Sequence, residues 1–272
     1  MPAIVWGTKM RVIKYIIALL IVVLIPLSAY ADRSGYSMIA RKNAAVSCAD
    51  CALNDASFIW ECNSVTVGDT GFSPCGCSDG DTSMNANDDA AISSGTCVFN
   101  DVGGDGGDFY DATISSDDLL DDTVGTVFIR FKVTTWIAYA HLFAAYGDAD
   151  DKINIYLIGT SGSGDIECEH QGNADYETIA TTSTELALNT EYILRYRWNT
   201  AASAADHQIT TYTTAMVEVD DSGAGDDLTA FTNAQTSLRV GNWRADDYFS
   251  SNITIYYVHV YKAWKDTDPN AP

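Results

Sequence analysis

Basic residues and prolines are scarce in this sequence. Lys and Arg together number 15 against 37 Asp and Glu, a formal charge of −22, and there are five prolines and four histidines. An acidic surface of that size repels phosphate backbones, so nucleic acid is excluded as a partner. It suits dispersed solubility, divalent cations or a salty medium. The histidines His141, His170, His207 and His259 are scattered through strand-like segments with no ligand spacing, and no Gly-x-Ser-x-Gly element accompanies them. Hydrolysis of the esterase or protease type therefore has no support. Very little of the chain beyond its N-terminal apolar run has helical periodicity.

That run is the clearest local feature. Lys9, Arg11 and Lys14 form a short basic cluster, and the segment from Tyr15 to Leu27 is apolar. Ser28-Ala29-Tyr30-Ala31 follows, with small residues where a signal peptidase requires them. The expectation is a secretory signal peptide over residues 1–31, cleaved after Ala31, and a secreted, extracellular protein. A retained membrane anchor needs about 20 unbroken apolar residues, and Pro26 and Ser28 break this run first. Translation from Met10 would give the usual charge-then-core layout of a signal directly. Cleavage removes three basic residues and no acidic ones, leaving 37 acidic residues against 12 basic, near −25.

Seven cysteines fit an oxidising compartment. Six crowd into one stretch, Cys48, Cys51, Cys62, Cys75, Cys77 and Cys97, and are expected to form disulfides whose pairing the spacing leaves open. A zinc site from Cys48-x-x-Cys51 with Cys75-x-Cys77 has the wrong second spacing and the wrong compartment. Cys168, in Ile166-Glu-Cys168-Glu-His170, alternates with Ile166 and reads as a buried free thiol.

Short runs with period-two alternation recur, separated by Gly, Asp, Ser and Asn. In Thr126–Val133, Val127, Ile129, Phe131 and Val133 share one face and Arg130 and Lys132 the other. Lys152–Ile158 sets Ile153, Ile155 and Leu157 together, and Glu191–Trp198 does the same with Tyr192, Leu194, Tyr196 and Trp198. Further strands are predicted at Ser57–Val65, Trp136–Tyr146, Asp165–His170, His207–Thr214, Thr236–Trp243 and Asn252–Trp264. About ten strands at this spacing predict an all-β fold of two antiparallel sheets packed face to face. One domain over residues 47–264 is expected, its early loops pinned by disulfides. A flexible polar arm would precede it at 32–46, and a disordered polar tail would follow at 265–272.

The order of these segments resembles the concanavalin A-like lectin/glucanase superfamily, and within it laminin-G-like jelly rolls. Four segments carry the likeness: the Gly-rich turn Gly104–Tyr110 into Asp111-Ala-Thr-Ile, the strand Gly125–Val133, the turn and strand Asn189–Trp198, and Leu238–Trp243 followed by Tyr248-Phe249 and Ile253–Tyr261. They span most of the chain after the leader. The Asp-Gly hairpin usual in the mid-sheet ribbon is replaced by Thr213-Thr-Ala-Met216, so the resemblance does not fix the strand bounds around Thr210–Val219.

Three constellations carry candidate chemistry. Asp165-Ile-Glu167-Cys-Glu169 puts three carboxylates on one strand face, about 7 Å apart per step. The resemblance to laminarinase-type glucanases implies a nucleophile and a general acid there, although their order is Glu-x-Asp-x-Glu; the alternative is a solvated outer face over Ile166, Cys168 and His170. The Asp-rich turn with Asp101, Asp105 and Asp108 offers oxygen ligands, and the resemblance implies a Ca2+ at a loop rim; Asp79-Gly-Asp81, Asp148-Ala-Asp150-Asp151 and Asp220-Asp221 compete for that role. In Asn242–Phe249, Trp243, Arg244, Asp246 and Asp247 combine a stacking ring with hydrogen-bonding groups for a sugar, while Tyr248 and Phe249 are expected to tuck under the sandwich.

Three functions follow as expectations. The first is a secreted, non-catalytic module binding glycan or another cell-surface ligand, with Ca2+ as its cofactor. The second is a glycan-cleaving enzyme using Glu167 and Glu169. The third is a self-assembling subunit of an extracellular fibre or surface layer, adding strands at open sheet edges.

Overall fold

Alternation at period two does what it predicts. The computed structural model of the chain describes residues 56–62, 85–87, 90–93, 96–99, 108–113, 120, 123–136, 138–148, 150–160, 163–181, 186–201, 206–223, 225, 228–233, 235–241 and 252–269. All of them lie in one compact unit, Cys48–Asn270. Among the described residues there are strands and no helix. In chain order they are β1 (Ala56–Glu61), β2 (Asn85–Asn87), β3 (Ala91–Ser93), β4 (Thr96–Phe99), β5 (Phe109–Thr113), β6 (Val124–Val133), β7 (His141–Tyr146) and β8 (Lys152–Thr160). Then follow β9 (Ser163–Gly172), β10 (Asp175–Ala180), β11 (Glu191–Asn199), β12 (Asp206–Thr213), β13 (Glu218–Asp221), β14 (Ser237–Gly241) and β15 (Ile253–Tyr261).

The strands form two antiparallel sheets, a jelly-roll sandwich. One sheet runs β13-β12-β11-β6-β15-β4-β3, with β1 also paired to β15; the other runs β10-β9-β8-β7-β14-β5-β2. Their inner faces make one core. Val127, Ile129, Phe131, Leu194, Tyr196, Trp198, Val258 and Val260 come from the first sheet, and Phe143, Ile153, Ile155, Leu157, Ile166 and Val240 from the second.

Strand β15 changes which parity points inward. Ile253 and Ile255 are buried at its start, Val258 and Val260 at its end, and a bulge between Ile255 and Tyr257 absorbs the extra residue. β1 pairs with the second half of β15 and β4 with the first, so they form two pieces of one line along the same neighbour. A disulfide between Cys62, just past β1, and Cys97 of β4 joins the pieces. Cys48, Cys51, Cys75 and Cys77 lie outside the described residues. Cys168 is free and fully buried.

Several sequence expectations shift at their edges. β7 begins at His141 instead of Trp136, because Trp136 turns into the core and rests on Gly164 of β9. A side-chain carbon at Gly164 would lie 2.0 Å from the Trp136 ring. The segment around Thr210–Val219 is a hairpin: β12 matches the strand predicted at His207–Thr214, and its turn into β13 carries Met216 at φ 59°. β10 escaped prediction because Ile179 is its single buried residue, so no alternating stripe marks it.

The polar tail, expected to be disordered from Lys265, is bound to the first sheet as far as Asp268. Thr126 Oγ1 donates to the Ala263 carbonyl at 2.7 Å, and Arg195 Nη1 to that of Asp266 at 2.7 Å. Asp268, nearly buried, meets His259 Nδ1 at 2.9 Å and the Tyr261 hydroxyl at 2.6 Å. Composition alone signalled disorder; buried partners on β6, β11 and β15 reverse it. The outer face of this sheet therefore carries a segment of its own chain.

Candidate functional site

The outer face of the other sheet holds the polar and aromatic side chains that a ligand site needs. Its centre is built by β8 and β9. Because Ile153, Ile155 and Leu157 point inward, Lys152, Asn154 and Tyr156 must point outward. By the same rule Ile166, Cys168 and His170 of β9 face the core and Asp165, Glu167 and Glu169 face out. All three carboxylates singled out in the sequence thus share one face.

Register brings specific partners to them. Tyr156 pairs with Glu167, and Asn154 with Glu169. The Tyr156 hydroxyl donates to Glu167 Oε1. Glu169 is held differently: Lys152 Nζ reaches its Oε1 at 2.6 Å, and Asn154 Nδ2 donates to its Oε2 at 3.1 Å. Asn154 in turn accepts from the Tyr146 hydroxyl at 2.9 Å. Both oxygens of Glu169 are therefore engaged within the sheet. Glu167 has a neutral hydroxyl as its partner and remains half-buried.

Three tyrosines and a histidine surround this pair. The ring of Tyr139 lies 6.2 Å from that of Tyr156, and the ring of His141 lies 5.2 Å from it on the neighbouring strand β7. Tyr139 is 59% exposed and Tyr176, on β10, 50% exposed. Burial, reinforced by the bond to Glu167, pushes the Tyr156 hydroxyl well above the ordinary phenol value, so it stays a neutral donor. Burial and the nearby Glu169 and Glu167 raise Tyr176 as well. The result is a group of mutually tilted aromatic rings beside carboxylates held by the sheet.

Two other features explain themselves structurally. Asp151, in the turn considered for calcium, is fully buried. Its Oδ1 accepts from the backbone N–H of Asn173 at 3.0 Å and of Thr232 at 2.9 Å. Its Oδ2 accepts from Thr232 Oγ1 at 2.9 Å and Asn233 Nδ2 at 2.7 Å. Burial alone would raise this carboxyl, but these donors outweigh it and hold it below the usual carboxylate value. Asp148 accepts from the N–H groups of Asp150 and Asp151. Amide and hydroxyl donors thus engage the carboxylates of both Asp148 and Asp151. Inside the core, His170 meets the Tyr196 hydroxyl at 2.9 Å and stacks on Phe231 at 4.6 Å.

The remaining sequence candidates separate cleanly. Asp108 is buried at the entry to β5, whereas Asp101 and Asp105 lie outside the described residues. Trp243, Arg244, Asp246 and Asp247 also lie outside them. Among the described residues no group of three or more His, Cys, Asp or Glu is arranged to hold a metal. Sequence reasoning passed over Lys152, Asn154 and Tyr156. Their alternation with Ile153, Ile155 and Leu157 marked an outward face, but nothing local said that β9 lies beside it. Tyr139 sits at φ 68° in a turn, where no periodic signal exists.

No family model matches the chain, and no curated protein matches it in sequence. Solved structures do share its fold. One, from work on cell entry of botulinum neurotoxin type C dependent upon interaction with two ganglioside molecules, aligns with a TM-score of 0.56 at 12% identity, covering 78% of this chain and 49% of that one. The binding domain of botulinum neurotoxin DC in complex with rat synaptotagmin II aligns with a TM-score of 0.54 at 10% identity, over 78% and 49%. The binding domain of serotype C1 gives 0.53 at 10%, again over 78% and 49%. The chain thus spans about half the length of the structures it matches. At such identities the likeness establishes the sandwich and nothing about its ligands.

Proposed function

We propose that this protein is an exported binding module whose ligand is a glycan, held on the outer face of the β10-β9-β8-β7 sheet. One observation carries the reading. Exposed tyrosine rings, Tyr139 and Tyr176, lie on the same sheet face as the half-buried Glu167, whose carboxylate is oriented by the buried Tyr156 hydroxyl. Sugars offer apolar ring faces for stacking and hydroxyls for paired hydrogen bonds, and sites for small ligands combine apolar walls with a few placed polar groups in that way. A rigid strand framework also keeps the ordering cost of binding low. The botulinum domains support the reading: one comes from work on interaction with two ganglioside molecules and another is in complex with rat synaptotagmin II.

On this reading the leader delivers the chain outside the cell. Asp101, Asp105 and Asp108 are the proposed Ca2+ ligands, and Trp243, Arg244, Asp246 and Asp247 a second set of sugar contacts. The test is a glycan array with the full chain, with and without EDTA, beside Tyr139→Ala and Tyr176→Ala. Binding to defined saccharides that falls about tenfold or more in either variant supports the sheet-face site. Equal binding by both variants moves the site elsewhere, and no saccharide bound overturns the glycan reading. Loss of binding in EDTA assigns calcium a role.

A further inference from the structure

We infer that the sheet face selects saccharides bearing a free amine, such as oligomers of an amino sugar, over neutral and acidic ones. The inference rests on the glycan reading above and adds the ligand's charge.

The argument is one of charge complementarity at Glu167. Three carboxylates, Asp165, Glu167 and Glu169, project outward from β9 on a face whose adjacent ammonium is Lys152. Lys152 is already committed to Glu169 at 2.6 Å. Arg239 of β14 lies two strands beyond β8, over the Phe109 ring at 4.9 Å, and forms no ion pair with Glu167. His141 contributes a ring beside Tyr156. Among the described residues, no Lys or Arg forms an ion pair with Glu167. Its partner is the Tyr156 hydroxyl, which stabilises the carboxylate without neutralising it. Tyr156 bonds one Glu167 oxygen, and the proposed amine bonds the carboxylate beside it.

A glycan stacked on Tyr139 and Tyr176 therefore meets a carboxylate that no described Lys or Arg pairs with. An acidic sugar placed there adds like charge, in a chain that already carries −22. A neutral sugar gains an ordinary hydroxyl hydrogen bond. An ammonium on the sugar gains a charge-assisted one, roughly twice as strong. Tyrosine faces reinforce the preference, because the negative face of an aromatic ring attracts a cation. Rings supply the stacking that makes the ligand a saccharide, and Glu167 supplies the sign.

The experiment titrates the full chain with four probes of matched length where they are oligomers. These are a glucosamine oligomer with free amines, its fully N-acetylated counterpart, a sialylated oligosaccharide, and spermine as an amine without a sugar. Binding is measured calorimetrically in low salt, for the native chain and for Glu167→Gln, which keeps an acceptor for Tyr156. The expected result is glucosamine oligomer bound about tenfold or more tightly than the acetylated one, the sialylated probe weakest, and spermine weak. In Glu167→Gln the ratio between free-amine and acetylated oligomers collapses towards one, with an unchanged thermal melt certifying the fold. If Glu167→Gln does not fold, acetylating the amines of the same oligomer carries the test on the native chain. Equal binding of the two oligomers, or tighter binding of the sialylated one, overturns amine selection while the glycan reading stands. Spermine bound as tightly as the oligomer overturns it too, since the site would then read charge alone. Binding of none of the saccharides fails the glycan reading itself.

Discussion

Asp151 and Thr232, 81 positions apart, are joined twice: the carboxylate accepts the Thr232 backbone N–H and its hydroxyl, each at 2.9 Å. The same carboxylate takes the N–H of Asn173 from the β9–β10 turn. One buried side chain thus ties the β7–β8 turn, the β9–β10 turn and the segment leading into β14. All three flank the sheet that carries the candidate site.

Asp151→Asn is expected to destabilise the protein by about 3 kcal/mol, since an amide cannot accept at both oxygens and strands buried N–H donors. The check is a urea midpoint at unchanged m-value. Because the donors hold the carboxyl below its unfolded value, its contribution is full above the ordinary carboxylate range. It is lost as pH falls through the folded value.

A second acid sensitivity begins at higher pH. Burial, with His207 nearby, pulls His170 down to about 3. The folded protein therefore holds His170 neutral, while the unfolded chain takes a proton near pH 6.5. Between about 6.5 and about 3 the unfolded state binds more protons, so stability falls as pH is lowered, by about 1.4 kcal/mol per unit for this group. Denaturation midpoints across that window should fall less steeply in His170→Gln. An identical slope in the variant removes His170 as the cause.

The Cys62–Cys97 disulfide closes a sequence separation of 35 residues. Chain-entropy reasoning assigns it about 3–4 kcal/mol. The pair Cys62→Ala and Cys97→Ala should lower the denaturation midpoint accordingly, and β1 should exchange its amide hydrogens first, being an edge piece joined to β15 and this bond. Cys168, which burial raises well above the ordinary thiol value, should resist alkylation until the chain unfolds.

In the two-residue turn from β9 to β10, Asn173 and Ala174 both have positive φ, at 50° and 65°. Asparagine tolerates that region, whereas alanine's Cβ is strained there by about 1 kcal/mol or more. Ala174→Gly is expected to raise stability by about 0.5–1 kcal/mol despite glycine's freer unfolded chain. A thermal melt showing no rise, or a fall, would sink this account of the turn.

Strand faces were legible from residue type alone, because alternation is a local property of an extended chain. Ile166 and Cys168 against Glu167 and Glu169 could be sorted without knowing any neighbour, and so could Ile153 and Ile155 against Asn154 and Tyr156. Edges were harder to read. β10 has one buried side chain and left no stripe, and the tail looked solvated until Asp268 found His259 and Tyr261.

By itself the sequence determined that the protein is an acidic, all-β sandwich, and that Asp165, Glu167 and Glu169 share one surface. The tertiary structure decided which groups that surface contains. Register across β8 and β9 gave Glu169 to Lys152 and Glu167 to Tyr156; antiparallel pairing of β1 and β4 along β15 selected Cys62 for Cys97; and loop closure over 81 residues surrounded Asp151 with amide and hydroxyl donors. Those outcomes depend on contacts between distant segments, and a period of two carries no information about which strand will lie alongside.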